Sequence, residues 1–279
     1  MSNNPIIIQK FSGEKDEFNP EKLKKSLTEA GASHEQADKI TATIQKGLFE
    51  GITTKEIYRK AHRLLKNREK AKASRYGLKK SILQLGPTGY PFELFVGELM
   101  RKEGFEITIG DTMQGRCVTH EVDVLAINKH VVRMMECKFH NRLGYKTDVK
   151  VPMYIKSRFE DLSSVWKDDH RFINRKYEGW VVTNARFTKD AIDFGQCSGL
   201  NLLSWDYPGH SLKSLVNRHN IYPITTISTI PKNIREKLFE KHIVLANTLV
   251  DHREVLLELG LDQKKAHDII AEAKSICDI

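Results

Sequence analysis

Glu121-Val122-Asp123-Val124-Leu125-Ala126-Ile127, then Asn128-Lys129-His130, then Val131-Val132-Arg133-Met134-Met135-Glu136-Cys137-Lys138 is the stretch on which the fold turns. Two mainly apolar runs flank a short polar turn, the pattern of an antiparallel hairpin. Side chains alternate along a strand, so Glu136 and Lys138 share one face while Cys137 points to the other. Folding back at the turn sets Asp123 level with Glu136. Two carboxylates and an ammonium therefore meet at the end of an apolar run, where burial without partners costs several kcal/mol.

Such a trio suits metal-assisted phosphodiester hydrolysis. Mg²⁺ prefers hard oxygen ligands and is held by one or two carboxylates together with phosphate oxygens and water. Asp123 and Glu136 are the expected metal ligands. Lys138 would orient or help deprotonate the attacking water and balance charge on the phosphate. A solvated Glu136–Lys138 salt bridge, worth ~0–1 kcal/mol, accounts for the same residues without chemistry.

Working outward, Pro91–Met100 predicts an amphipathic helix with Phe92, Phe95, Val96 and Leu99 on one face. Gly104 stops it and Phe105–Ile109 starts a strand. Beyond Lys138 come a loop at Gly144 and a helix across Val151–Leu162. Gly179–Asn184 then reads as a strand, Thr188–Phe194 as a helix and Leu200–Trp205 as a last strand. Helix, three strands, helix, strand, helix, strand predicts an α/β unit with a mixed sheet and helices on both faces.

Residues 90–207 resemble the Mrr-like branch of the PD-(D/E)xK restriction-endonuclease-like superfamily. The resemblance rests on Phe92-Glu93, Lys102-Glu103-Gly104-Phe105, His120-Glu121-Val122-Asp123, Glu136-Cys137-Lys138 and Val182-Thr183-Asn184-Ala185-Arg186-Phe187-Thr188. It implies that Asp123 and Glu136 bind Mg²⁺, that Lys138 is the catalytic lysine, and that Glu93 supports the metal from the first helix. Val122 stands where the superfamily's name has proline. The helix after Lys138 shows no clear counterpart of the glutamine that many members carry, leaving Lys150, Lys156 or Arg158 to meet phosphate.

The first ninety residues differ in character. Ile6-Ile7-Ile8 predicts a short strand and Phe11-Ser12-Gly13-Glu14 a turn. Asn19-Pro20 opens a helix, while Ser33–Gln36 and Thr53–Glu56 each read as a capping box. This segment resembles the ATP-cone, the nucleotide-sensing domain at the front of ribonucleotide reductases and of their repressor. Ile8, Lys10, Gly13, Phe18, Asn19, Lys22, Leu23 and Gly51–Ile57 carry the likeness. It implies ATP or dATP as regulator, with Lys10 and Lys22 pairing phosphates, Asn19 and Thr54 nearer the nucleoside, and Ile8 in the same site. Phe11 occupies a position where that family usually has arginine. Two lysines beside a glycine turn and a helix start also make physical sense as an anion site.

The chain of 279 residues holds 45 basic and 36 acidic residues, a formal charge of +9. Lys55–Lys80 alone contains eleven Lys and Arg against two Glu, so this segment accounts for the whole excess. As a basic helix over 55–80 it would either bind the DNA backbone or serve as a solvated connector.

Pro231–Glu240, Ile243–Leu259 and Asp262–Ile276 read as helices. Leu259-Gly260-Leu261 suggests half of a DNA-gripping helix-hairpin-helix, but Asp262 opposes phosphate, so packing or dimerisation fits better. Cys117-x-x-His120 and Cys137-x-x-His140 have zinc-site spacing. Residues three apart on a strand face opposite sides, though, which favours plain thiols and polar strand ends. Four scattered cysteines suit a reducing interior, and no apolar run reaches the ~20 residues that span a membrane.

The expected organisation is an ATP-cone-like domain over 1–80 with the basic helix 55–80, a hinge at 81–89, a nuclease-like domain over 90–225, and a helical segment over 226–279. The expected function is a cytoplasmic Mg²⁺-dependent DNA endonuclease regulated by adenine nucleotide, which would act through self-association. The alternatives are a non-cutting nucleotide-sensing DNA-binding regulator and a repair or junction-resolving nuclease.

Overall fold

The structure is a computed structural model that describes residues 6–10 and 13–278. Phe11 and Ser12, half of the expected turn, lie outside the described residues.

At the N-terminal end, β1 (Ile7–Gln9) pairs antiparallel with β2 (Lys15–Glu17). Helices α1 (Pro20–Thr28), α2 (His34–Gln45) and α3 (Thr54–Lys66) follow, each with a side-chain cap. Asn19 Oδ1 accepts the Lys22 N–H at 3.1 Å, and Ser33 with Gln36 and Thr53 with Glu56 close reciprocal capping boxes. Leu27, Ile40, Ile44, Ile52, Ala61 and Leu65 give this unit its own core.

The basic segment 55–80 is not one helix. It breaks into α3, α4 (Lys70–Tyr76) and α5 (Leu78–Ile82). Lys66-Asn67-Arg68 offers no apolar side chain to continue the buried stripe, so α3 ends there and Asn67 caps its carbonyls. Ile82 and Leu85 are buried, so the first half of the expected hinge at 81–89 is packed into the core below, while Pro87 and Thr88 are exposed.

The central sheet has the order β3-β4-β5-β7-β9, formed by Glu106–Gln114, Thr119–Ile127, Val131–Lys138, Lys176–Thr183 and Asn201–Leu203. Its first two pairings are antiparallel and its last two parallel. A two-residue ribbon beside it joins β6 (Lys146–Thr147) to β8 (Arg186–Phe187). Helix α6 (Tyr90–Lys102) covers one face, and α7 (Lys150–Trp166) with α8 (Lys189–Ser198) packs on the other.

The hairpin of β4 and β5 has the expected turn, in which Asn128 Oδ1 accepts the N–H groups of His130 and Val131. The register pairs Val124 with Met135 and Ile127 with Val132, which puts Asp123 opposite Glu136 where the ladder ends. A kink lies beside this point. Ile107, Ile109, Val124 and Ala126 face the α6 side, whereas Met113 and Val122 face the α7 side. Strict alternation would keep each set on one face. The change occurs at Gly110, which has φ +64° and stands opposite Asp123.

The final helices are α9 (Leu212–His219), α10 (Lys232–Glu240), α11 (Ala246–Asp251), α12 (Glu254–Glu258) and α13 (Gln263–Cys277). Their apolar faces share one core with α5, α6 and the sheet, including Leu238, Leu249, Ile269 and Ile276. Each fully buried aliphatic side chain contributes roughly 1.5–3 kcal/mol. The helix expected over 243–259 splits, because Val244 and Leu245 run extended and Leu245 bridges Pro223. Arg75 of α4 reaches this end of the fold, donating to the Ile276 carbonyl at 2.8 Å and pairing with Asp278. Among the described residues, no helix is long and apolar enough to cross a membrane.

Candidate functional site

At the C-terminal end of β5 the structure brings four carboxyl groups together. Asp123 comes from β4 and Glu136 from β5, Glu121 lies two residues before Asp123, and Glu93 projects from the first turn of α6. Burial, and then the charges of Asp123, Glu121 and Glu136, push the Glu93 carboxyl up to about 7. Burial raises Asp123, against the opposing pull of the Cys137 N–H and Arg158. Glu136 rises through burial and the Asp123 charge, again offset by Arg158. Burial leads at all three groups and neighbouring carboxylates add to it, while Arg158 and Lys138 offset it at Asp123 and Glu136.

Asp123 Oδ2 accepts the Cys137 backbone N–H at 2.7 Å. Arg158 of α7 donates to Glu136 Oε2 at 2.5 Å and also to the Glu121 carbonyl. Lys138 is exposed one residue beyond Cys137, and its carbonyl accepts the Thr183 hydroxyl at 2.7 Å. Of the other expected phosphate contacts, Lys156 pairs with Glu160 and Lys150 is exposed at the start of α7.

Among the described residues, no group of three or more His, Cys, Asp or Glu side chains is placed to hold a metal ion. Asp123 and Glu136 are the half-buried oxygen donors that would have to hold Mg²⁺ together with water and phosphate, and Glu136 is already paired with Arg158. The cysteines and histidines with zinc-like spacing have separate surroundings. His120 meets Asp161 at 2.8 Å, His140 meets Thr147 at 3.2 Å, Cys137 is buried and Cys117 exposed. Asp161 also accepts the N–H groups of Cys117 and Val118; led by the His120 hydrogen bond, these contacts hold it down at about 2.

A second site lies in the N-terminal unit. Ile8, Lys10, Asn19, Lys22 and Thr54 all line one cleft of about 550 Å³. Lys10 Nζ stands 2.9 Å from Asp16 and Lys22 Nζ 3.8 Å from the same carboxylate, so each lysine must exchange an internal partner for any anion. Phe18, Leu23, Ile57 and the stacked rings of Tyr58 and Tyr76 supply an apolar wall.

The sequence reading missed the opposite wall of this cleft. It consists of the loop residues Arg142 and Tyr145, and Lys146 and Arg186 of the β6–β8 ribbon. Nothing local marks those positions, because they join the site only through the tertiary fold. A second cleft, of about 450 Å³, lies between α3–α5 and the C-terminal helices, with Arg59, His62, Lys66, Lys70, Lys80 and Arg235 in its lining. Burial, then Lys66 and Lys80, lower the His62 pKa.

Comparison with known proteins identifies parts of this architecture. Residues 6–80 match the ATP cone domain, and residues 222–277 match the AF1548-like C-terminal domain. An uncharacterized protein of Archaeoglobus fulgidus is 35% identical over 183 residues, covering 65% of this chain and 99% of that protein. The crystal structure of AF1548, a protein of unknown function, matches with a TM-score of 0.57 and 32% identity, across 68% of this chain and 99% of its own. The chain carries an ATP cone domain and belongs to the AF1548-like family.

Proposed function

We propose that this chain is an Mg²⁺-dependent DNA endonuclease whose activity is regulated by ATP or dATP. The observation that carries the reading is the cluster of Glu93, Asp123 and Glu136 at the end of β5, with Lys138 emerging beside it. Asp123 and Glu136 would hold the ion and Glu93 would support it. When bound, Mg²⁺ supplies neutralising charge to the scissile phosphate and acidifies a coordinated water. Lys138 would orient the attacking water or help deprotonate it and balance charge on the scissile phosphate, and Arg158 would contact the phosphodiester. The ATP cone supports regulation by nucleotide. The basic cleft lined by Arg59, Lys66, Lys70, Lys80 and Arg235 supports a DNA partner through release of condensed counterions.

Nicking of supercoiled plasmid in Mg²⁺ or Mn²⁺ tests the reading, run with wild type and Lys138→Ala over a panel of duplex, single-stranded and branched DNA. Branched preference would place the activity in repair or junction resolution. Absence of nicking by wild type under every condition would sink the hydrolase reading. A second reading, a non-cutting nucleotide-sensing DNA-binding regulator, is favoured by the Arg158–Glu136 pair, which already puts a positive group where the ion would sit. Nucleotide-driven self-association belongs to both readings. Mass photometry with and without ATP or dATP tests it, and an unchanged mass distribution counts against it.

A further inference from the structure

The nucleotide cleft is not built by the ATP cone alone. Among its lining residues, Lys10, Lys22 and Lys79 lie within the matched ATP cone, and so do Glu14, Asp16 and Glu17. Three positive and three negative groups cancel, so the cone's own wall is electrically neutral toward an incoming ligand. A nucleoside triphosphate brings several negative charges and needs an excess of positive ones. That excess comes from across the cleft, from Arg142, Lys146 and Arg186. Arg186 pairs with Asp206, which leaves Arg142 and Lys146, both exposed, as the groups best placed to answer a polyphosphate.

The segment that carries them begins at the candidate hydrolytic site. Phe139 follows Lys138 directly, and the loop then runs through Arg142 and Tyr145 to β6. It is stitched to the end of β7 at several points. The His140 N–H donates to Asn184 Oδ1 at 2.8 Å, and Asn184 Nδ2 donates back to the His140 carbonyl at 2.8 Å. Thr183 Oγ1 donates to the Lys138 carbonyl, and the Thr147 hydroxyl contacts Thr183 at 3.2 Å. Thus a ligand pulling on Arg142 or Lys146 acts on a short, cross-tied loop whose first residue adjoins Lys138. The cleft volume of about 550 Å³ falls in the ~300–1,000 Å³ range of small-molecule sites.

We propose that the nucleotide binds between the ATP cone and residues 139–147, with Arg142 and Lys146 as ligands of its polyphosphate, so that occupancy clamps the loop leaving Lys138. The proposal rests on the ATP cone binding nucleotide and is independent of whether the carboxylate site cuts DNA. Nucleotide clamps the loop from one side, the cone from the other, and the strand bearing Glu136 and Lys138 receives the result.

The test is equilibrium binding of ATP to the full chain by calorimetry, for wild type, Lys22→Ala and the double variant Arg142→Ala/Lys146→Ala. Both altered side chains of the double variant are exposed, and a thermal melt confirms that it folds. The expected result is at least tenfold weaker ATP binding by the double variant, with AMP affected less than ATP. Hydrogen exchange should also show residues 139–147 protected by ATP in wild type. Unchanged ATP affinity in the double variant, with Lys22→Ala still impaired, would overturn the composite site while leaving the cone's nucleotide binding intact. No binding by wild type would remove the reading on which the proposal rests. Loss of binding in the double variant without loop protection would overturn the clamp.

Discussion

Asp123 accepts the backbone N–H of Cys137 at 2.7 Å, so a side-chain carboxylate takes the place of a strand carbonyl where the β4–β5 ladder ends. One oxygen is committed to the fold and the other remains for chemistry. This separation lets Asp123→Asn serve as a clean probe, because an amide oxygen still accepts that N–H. We expect Asp123→Asn to fold, with a thermal midpoint in the absence of metal no lower than that of wild type, and to lose plasmid nicking in Mg²⁺.

Lys138→Ala should be equally silent in stability, since the side chain is exposed and substitutions there change stability by about 0.5 kcal/mol or less. Nicking should fall at least ~100-fold, in line with removing a proton-transfer group. Retention of the wild-type rate by Lys138→Ala would remove lysine from the mechanism.

The pH dependence has a definite sign. Glu93 titrates near 4.5 unfolded and at about 7 folded, so between these values the native state holds more protons than the unfolded one. Stability of the metal-free protein therefore falls as pH rises from 4.5 through about 7, then levels off. Asp123 and Glu136 are raised as well and act in the same direction. Glu93→Gln should raise the melting midpoint of metal-free protein at pH 8 by a few degrees, about 1–2 kcal/mol after solvent screening, and should change little at pH 4. Mg²⁺ should stabilise wild type more at pH 8 than at pH 6, measured by thermal melting.

Arg158→Ala leaves Glu136 among carboxylates without its guanidinium partner. We expect a loss of about 2 kcal/mol in EDTA, partly recovered by Mg²⁺. A double-mutant cycle with Glu136→Gln should show positive coupling. Additivity would mean that the two groups stabilise the fold independently.

Gly115→Ala should lower stability by about 2 kcal/mol, because a Cβ there would overlap the Asp161 carboxylate and crowd the Val118 carbonyl. Chemical denaturation measures this. Asp161 gathers the 115–118 turn and His120 against α7, so misplacing it should also loosen the start of β4.

The hairpin that carries Asp123 and Glu136 was legible because both strands are apolar, the turn is short, and Asn128 is a good turn residue. The mixed sheet with helices on both faces followed from strand and helix alternation. Other features lack a local signal. Lys146–Thr147 and Arg186–Phe187 are too short to show alternation, yet their ribbon carries half the nucleotide cleft's second wall. The face change at Gly110 depends on a backbone φ that no neighbouring residue announces. Continuous positive charge over 55–80 concealed two helix breaks, because charge pattern reports exposure more directly than helix length.

Arg75 fastens the sensor's fourth helix to the carbonyl of Ile276 and to the carboxylate of Asp278. Regions about two hundred residues apart in sequence are thus bolted together, with the Lys213–Glu29 pair as a further tie. Trimming residues 276–278 would release the front of the molecule as well as its rear, and expressing the sensor by itself would leave this guanidinium without either acceptor. Calorimetry of the intact protein should accordingly record one melting transition, and a trimmed version should record two.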